Sequence, residues 1–173
     1  MRNSVAILTL LSGFLLAQPS FTAADIVSNF NIASAVRAAD MDGDGDIDIV
    51  AADEGGDAIH WLENDGNANP SFTIRPAYTT SNGPWAVVPY DIDRDGDLDI
   101  ISASHGDNKI RVNVNDGNAD PIFYNTVYDV VSGVDARGLD LGDIDGDGDI
   151  DVVGALGGDN AIRWYENLSL IHI

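Results

Sequence analysis

Three aspartate-rich segments carry the clearest chemistry in this 173-residue chain. They read Asp40-Met-Asp-Gly-Asp-Gly-Asp-Ile-Asp48, Asp91-Ile-Asp-Arg-Asp-Gly-Asp-Leu-Asp99 and Asp143-Ile-Asp-Gly-Asp-Gly-Asp-Ile-Asp151. Carboxylates at positions 1, 3, 5 and 9 of such a loop, with the backbone carbonyl of position 7, can surround one hard cation. If position 9 is bidentate they supply about six oxygens, and one water completes the roughly seven-fold sphere that Ca²⁺ prefers. The spacing therefore predicts about three Ca²⁺ ions, one per loop.

Position 6 is glycine in every loop, which predicts a sharp turn with a positive φ. The variable position 4 is expected to face outward, and the apolar residue at position 8 (Ile47, Leu98 or Ile150) is expected to anchor the loop in the core.

Other interpretations of these loops are weaker. An EF-hand has glutamate at position 12 and a helix on either side, but position 12 here is Ala51, Ser102 or Gly154. Mg²⁺ demands octahedral geometry and keeps its waters. A solvated turn without a bound ion would be unfavourable because its carboxylates repel one another. Two carboxylates about 5 Å apart repel by roughly 3 kcal/mol at an effective dielectric near 20.

The composition limits the possible partners. With 29 acidic and 8 basic residues the formal net charge is −21, so bulk charge does not favour nucleic acid or an anionic membrane. The absence of cysteine rules out disulfides, thiol catalysis and thiolate metal sites. A hydrophobic fraction of 45% is normal for a folded domain, so the acidity does not by itself indicate disorder.

The loops belong to a longer repeat. Their first residues are 51 and 52 positions apart, and three further sets of residues keep the same register: Ile59, Ile110 and Ile162; Trp61, Val112 and Trp164; Asn64, Asn115 and Asn167. A period near 50 that holds four antiparallel strands is typical of one propeller blade. We therefore expect an all-β fold, a partial β-propeller of about three four-stranded antiparallel blades with a calcium loop between the first two strands of each.

Short apolar runs bounded by Gly- and Asp-rich turns predict the strands. The first strand of each blade is expected at residues 35–39, 86–90 and 136–141. The second, an apolar run that suits burial on both faces, is expected at residues 49–52, 100–103 and 152–155. A third strand passes through the Ile-x-Trp positions, and a fourth covers residues 72–78 or 123–130.

The N-terminus has the parts of a secretory signal peptide at residues 1–24: Arg2, the apolar run 5–17 and small residues at 22–24. The run is too short for a comfortable membrane span, so we expect no transmembrane segment and a secreted protein, extracellular or at the cell surface. The expected divisions that follow are an outer strand at 25–33, repeats at 34–80 and 81–131, and a truncated repeat at 132–167. Residues 168–173 depart from the repeat and are interpreted as a sequencing or cloning scar. Closed propellers have about four to eight blades, so further blades of the same polypeptide are expected.

The loop D-x-D-x-D-G-D-[IL]-D, followed by an apolar strand and by I-x-W-x-E-N, resembles the FG-GAP/VCBS repeats, which form the blades of integrin-α-like β-propellers and abound in secreted bacterial proteins. The resemblance covers about residues 26–167. The Phe-Gly and Gly-Ala-Pro signatures are not recognisable, so the VCBS-like branch is the nearer one. The resemblance implies these metal ligands: Asp40, Asp42, Asp44, the Asp46 carbonyl and Asp48; Asp91, Asp93, Asp95, the Asp97 carbonyl and Asp99; Asp143, Asp145, Asp147, the Asp149 carbonyl and Asp151.

Two functions remain open. The resemblance implies a non-catalytic, calcium-stabilised module for adhesion, ligand binding or structural spacing, but it does not identify the ligand, which we expect to be a protein or a carbohydrate. The alternative is a fragment of a propeller enzyme, a polysaccharide lyase or hydrolase, whose catalytic residues lie in missing blades. His60, His105 and His172 share no motif, and no nucleophile–His–acid arrangement is visible, so no catalytic residue is predicted in this chain. Trp61 and Trp164 are expected to pack between blades.

Overall fold

The computed structural model describes residues 20–78, 81–123, 131–132 and 135–168, which form eleven β-strands and no helix. The strands are β1 (Ala33–Ala39), β2 (Asp48–Asp53), β3 (Ala58–Asn64), β4 (Phe72–Tyr78), β5 (Pro84–Tyr90), β6 (Asp99–Ser104), β7 (Lys109–Asn113), β8 (Val131–Ser132), β9 (Ala136–Gly142), β10 (Asp151–Leu156) and β11 (Ala161–Tyr165). No helix in this part of the chain could cross a membrane.

The strands form three antiparallel sheets, one for each predicted repeat. The strand orders are β1-β2-β3-β4, β5-β6-β7-β8 and β9-β10-β11. Within each sheet, therefore, every strand pairs with the strands that precede and follow it in the sequence. We call these sheets blades one, two and three. The all-β partial propeller is thus confirmed. Most of the predicted fourth strand of blade two, residues 124–130, lies outside the described residues, and the strand that pairs with β7 is β8.

The segment before β1 differs from the prediction. An outer strand was expected over residues 25–33, but residues 25–32 form no strand and only Ala33 belongs to β1. Its backbone is joined to the end of β2 without a strand ladder, because the Ile32 carbonyl accepts the N–H of Glu54 at 2.7 Å. The carboxylate of Asp53 instead accepts the backbone N–H groups of Asn31 and Ile32, each at 3.0 Å. Of the predicted signal peptide and terminal scar, residues 1–19 and 169–173 lie outside the described residues.

The second strand of each blade is the most buried. All six residues of β6 and five of the six in β2 are buried. Their side chains are mainly small or β-branched, which suits a pleated strand covered on both faces. One apolar core lies between blades one and two and a second between blades two and three. The packing prediction is confirmed for β2 and β6, but in β10 Val153 is half-buried and Ala155 is exposed, so it is wrong for that face of the third run.

The three Asp loops connect β1 to β2, β5 to β6 and β9 to β10. Strand β1 packs beside β5, and β5 packs beside β9, so the loops follow one another along one edge. Two contacts link each loop region to the next blade. Asn115 Nδ2 donates to the carbonyl of Met41 in the first loop at 3.2 Å, and Arg94 of the second loop pairs with Asp149 of the third at 2.8 Å. The fold therefore sets a row of acidic loops on one side of the blades.

Candidate metal-binding loops

Each Asp loop brings three carboxylates together. Oxygens from positions 1, 3 and 9 lie within 4.8 Å of one another in all three loops, and we call each such group a triad. The triads are Asp40, Asp42 and Asp48; Asp91, Asp93 and Asp99; and Asp143, Asp145 and Asp151. Nine of the predicted ligands thus converge, three to a loop.

The position 9 carboxylate is held by two backbone N–H groups. In the first loop Asp48 Oδ2 accepts from Met41 N at 3.0 Å, and Oδ1 accepts from Asn64 N at 2.8 Å. Asp99 and Asp151 have the same two partners, from position 2 of their own loop and from the Asn that follows the third strand. Position 9 is the first residue of the buried second strand and is itself buried in every blade. Its orientation is therefore fixed by the sheet.

The position 1 carboxylate organises the turn. Asp40 accepts the N–H of Gly43 at 2.8 Å and that of Gly45 at 3.0 Å. The N–H of the position 6 glycine is used in the same way in the other two loops. The position 6 glycines have φ values of 97°, 103° and 95°, a region that side-chain-bearing residues rarely adopt. The predicted sharp turn at position 6 is confirmed.

Positions 5 and 7 are placed differently from the triads. The position 5 carboxylates of Asp44, Asp95 and Asp147 each accept the N–H of position 7, at 2.8 to 3.0 Å, and they do not belong to the triads. The side chains of position 7 lie against the Asn-Asp-Gly turns in blades one and two, where a Cβ on Gly66 or Gly117 would overlap the carboxylate of Asp46 or Asp97. Ligation by the position 5 carboxylate and by the position 7 carbonyl stays a prediction.

Positions 4 and 8 show the effect of the neighbouring blade. Position 4 was expected to point outward, and Arg94 is largely exposed, yet its guanidinium also donates to the carbonyl of Gly148 and pairs with Asp149. Position 8 was expected to anchor each loop in the core. Leu98 does pack against the core between blades one and two, but Ile47 is 54% exposed. The prediction is wrong for Ile47 because no described blade covers that side of blade one.

The triads concentrate negative charge in partly buried positions. Burial, and then the charges of neighbouring aspartates, raises the pKa of Asp42 and of Asp93. Burial is also the main cause that raises the pKa of Asp99 to about 6, against the lowering effect of two backbone N–H groups. Burial acts in the same direction on Asp151, but hydrogen bonds from Asn167 and Ile144 bring the pKa of that carboxyl below its usual value.

The donor set fits a hard cation. Among the described residues no Lys, Arg or His forms an ion pair with a triad carboxylate. Asp91 Oδ1 is buried and accepts no hydrogen bond from the described residues, although its partner oxygen accepts from Gly96 N. Buried carboxylate oxygens are normally paired or coordinate a metal. A divalent cation at the triad would satisfy that oxygen and offset the repulsion.

The Asn at the end of the third strand, Asn64, Asn115 or Asn167, has a role that the sequence pattern did not predict. Asn64, Asn115 and Asn167 were read only as repeat markers. Their backbone N–H groups bind position 9, and their side-chain amides donate to the position 8 carbonyl at 2.9 to 3.1 Å. The available signal was their constant distance from position 9, which is 16 residues in all three blades. Each Asn therefore clamps the end of its loop to the third strand.

The remaining candidates lie away from the triads. The ring centroids of His60 and Phe30 lie 4.9 Å apart, and His105 Nε2 lies 3.1 Å from Glu54 Oε1. His172 is outside the described residues. Trp61 is buried between blades one and two, as predicted, with its ring near Phe123. Trp164 occupies the same repeat position in blade three and is 46% exposed.

Consecutive antiparallel blades with an oxygen-rich loop between the first two strands define a propeller repeat protein with potential metal sites. The sequence model of the family described as FG-GAP-like repeat matches residues 40–102 and again residues 91–154. These matches span more than half of the chain, which therefore belongs to the FG-GAP-like repeat family. No curated protein and no solved structure matches the chain significantly.

Proposed function

We propose that the chain is an exported, non-catalytic β-propeller module whose Asp loops each bind one Ca²⁺ and whose blades serve adhesion, ligand binding or structural spacing. The observation that carries the proposal is the recurrence of the same oxygen triad, with position 9 fixed by two N–H groups, in three successive blades. Three separate coincidences of this kind are not expected of ordinary acidic turns.

The chemistry of the triads favours calcium over softer metals. All the converging donors are carboxylate oxygens, which suit Ca²⁺, Mg²⁺ and Mn²⁺, whereas Zn²⁺ and Cu²⁺ sites typically contain imidazole or thiolate. Positions 1, 3 and 9 would hold the ion, with the position 5 carboxylate and the position 7 carbonyl as further ligands. When bound, the ion supplies positive charge between the first two strands of a blade, and the chain supplies the orientation.

Export and binding rest on the sequence and on the family. The predicted signal peptide supports secretion, and FG-GAP-like repeats generally have structural or binding roles. The ligand that we expect is a protein or a carbohydrate. Binding to immobilised glycans and extracellular proteins, measured in Ca²⁺ and again in EGTA, tests this part of the proposal. If the chain bound neither the glycans nor the proteins, the adhesive role would be contradicted. The proposed metal sites would be unaffected by that result.

Calorimetry with Ca²⁺ tests the metal sites directly. The wild-type chain should bind about three ions. Asp93→Asn removes one triad charge in the second loop and should remove about one ion. Asp97→Asn is the matched control, because it removes the same charge from position 7, whose side chain lies outside the triad, and should leave about three. Absence of Ca²⁺ uptake at millimolar concentration would overturn the proposal, as would equal losses in the two variants.

A further inference from the structure

One side chain joins two of the Asp loops. Arg94 is position 4 of the second loop, and its guanidinium pairs with Asp149 Oδ1 at 2.8 Å and donates to the carbonyl of Gly148. Gly148 and Asp149 are positions 6 and 7 of the third loop, and the carbonyl of position 7 is one of the predicted metal ligands. We call this pair of contacts the Arg94 bridge. Through it, one candidate metal site holds the backbone of the next.

The segment that Arg94 contacts is firmly attached to the third loop. The side chain of Asp149 is only 5% exposed. Its backbone N–H donates to Asp147 at 2.8 Å, and the N–H of Gly148 donates to Asp143 at 3.1 Å. Both acceptors are loop carboxylates, and Asp143 belongs to the triad. Hydrogen bonds between charged groups are stronger than neutral ones, so the bridge influences the orientation of the third-loop ligands.

The backbone of Arg94 is unusual for a residue with a side chain. Its φ is 64°, whereas position 4 of the other two loops is glycine, with φ 75° at Gly43 and 79° at Gly146. Residues other than glycine seldom adopt this region, and they keep such a conformation only where the surroundings determine it. The contacts of the guanidinium with the third loop are part of those surroundings.

The second loop also lacks a hydrogen bond that the other two loops make. Gly43 and Gly146 donate their N–H groups to Oδ1 of position 1, at 2.8 and 2.7 Å. The equivalent atom of the second loop, Asp91 Oδ1, is buried and accepts no hydrogen bond from the described residues. The turn around Arg94 is thus held less completely by the chain itself, and a cation at Asp91 would add the missing restraint.

We propose that Arg94 couples the second and third loops, so that Ca²⁺ bound in either one strengthens binding in the other. This coupling depends on the calcium sites proposed above. Asp91, Asp93 and the backbone of Arg94 belong to one turn, so fixing that turn also fixes the direction of the guanidinium. Arg94 then keeps Gly148 and Asp149 in place while the third loop binds its ion. The reverse effect is equal, because coupling between two binding sites is reciprocal.

The first and second loops provide an internal reference. Position 4 of the first loop is Gly43, which has no side chain to reach the second loop. The bond from Asn115 to the carbonyl of Met41 joins these two blades near the loops, but it does not involve Arg94. A change at Arg94 should therefore alter the coupling between the second and third loops and leave the coupling between the first and second unchanged.

Calorimetry of chains that keep two loops measures the coupling. Asp42→Asn leaves the second and third loops, and adding Asp93→Asn or Asp145→Asn leaves only one of them. The overall constant for binding two ions, divided by the product of the two single-site constants, is the coupling factor. Arg94→Gly should lower this factor about 2- to 5-fold, the size expected of a partly exposed ion pair. Glycine suits the positive φ, so this variant should fold, which circular dichroism verifies.

Two further variants show whether the bridge itself is responsible. Asp149→Asn keeps the position 7 carbonyl but removes the charge that pairs with Arg94, so it should also lower the coupling factor. Arg163→Ala is the matched control and should leave the factor unchanged. Its side chain is 47% exposed, against 54% for Arg94, and it pairs with Asp159 in the turn at the far end of β10 from the third loop.

The outcomes separate the coupling from the calcium sites. If the Asp42→Asn chain binds two ions and Arg94→Gly leaves the coupling factor unchanged, the sites stand and the coupling is overturned. An equal fall in Arg163→Ala, or an equal change in the coupling between the first and second loops, would also overturn it. If the Asp42→Asn chain binds no Ca²⁺, the calcium sites and the coupling are overturned together.

Discussion

Asp99 shows how one residue connects the fold to the metal. It begins β6, is completely buried, and accepts N–H bonds from Ile92 and Asn115. Burial raises its pKa to about 6, and the charges of Asp93 and Asp95 add to the effect. In the protein without metal, ionisation of this carboxyl is therefore less favourable than ionisation of an exposed aspartate. A cation at the triad removes that disadvantage.

The raised pKa of Asp99 predicts a pH dependence of stability for the metal-free protein. The folded pKa of about 6 lies above the unfolded value of about 3.9. Between these values the folded state binds more protons, so the Asp99 contribution to the free energy of unfolding should fall as the pH rises from about 4 to about 6. Urea unfolding in metal-free buffer measures this change in the free energy of unfolding with pH.

Asp99→Asn is the control for that measurement, because other carboxylates titrate over the same range. The difference in the free energy of unfolding between wild type and variant should change with pH between about 4 and 6 and be constant outside that range. A constant difference throughout would mean that Asp99 has an ordinary pKa. With Ca²⁺ present the sign should reverse, because the ion requires the deprotonated carboxylate.

The Asn clamps predict unequal effects of the same substitution. In Asn115→Ala the buried carbonyls of Leu98 and Met41 lose a donor, which should lower the free energy of unfolding by about 1–3 kcal/mol. Asn64→Ala removes the exposed bonds to the Ile47 carbonyl and from the Gly66 N–H. The bond equivalent to the second, from Gly117 to Asn115, is lost in Asn115→Ala as well, so Asn64→Ala should cost less. Chemical denaturation of both variants tests this. Equal costs would mean that the contact between blades contributes nothing.

At the scale of the element, the loop conformation depends on the position 6 glycine. Gly96 has φ 103°, and a Cβ added there would meet nothing within 4 Å. Gly96→Ala therefore introduces backbone strain without a steric clash, and it should destabilise by about 1–3 kcal/mol. In Gly142→Ala the added Cβ makes an ordinary contact with Ile144, so this variant should be nearly neutral. Equal urea midpoints for the two variants would contradict the strain argument.

The sequence predicted those elements whose signals are local. The Asp loops, the turn at position 6 and the strand β4 at Phe72–Tyr78 follow from residue type and spacing within one repeat, and all agree with the structure. The outer strand at 25–33 and the burial of Ile47 were wrong because both depend on a neighbour that spacing does not reveal. The bridge from Arg94 to the third loop also joins residues that are distant in the sequence.

At the scale of the whole molecule, calcium should determine thermal stability. At a free concentration about 100 times Kd, each bound ion adds roughly 2.7 kcal/mol to the folded state. Three ions would add about 8 kcal/mol, which is comparable to the stability of a typical domain. Three divalent ions also offset about six of the 21 net negative charges. Melting in EGTA should therefore occur well below melting in millimolar Ca²⁺.

The control for that comparison is the triple variant Asp42→Asn, Asp93→Asn, Asp145→Asn, which changes one carboxylate in every triad. Its two melting curves should coincide at matched ionic strength, since no site remains to bind the ion. Wild-type curves that coincide would show that the loops are ordinary turns. A calcium shift that persists in the triple variant would place the ion elsewhere on the molecule.

The short span of each clamp bears on the order of folding. The Asn that fixes position 9 lies only 16 residues further along the chain, and every sheet is built from strands in sequence order. Contacts of such low sequence separation form quickly, since little loop-closure entropy opposes them. A blade can therefore assemble as soon as its third strand is free of the ribosome or of an export channel. The first blade then offers the apolar face formed by Val50, Ala52, Ile59 and Trp61 as a template for the second, so the chain can acquire its structure progressively from its N-terminal end.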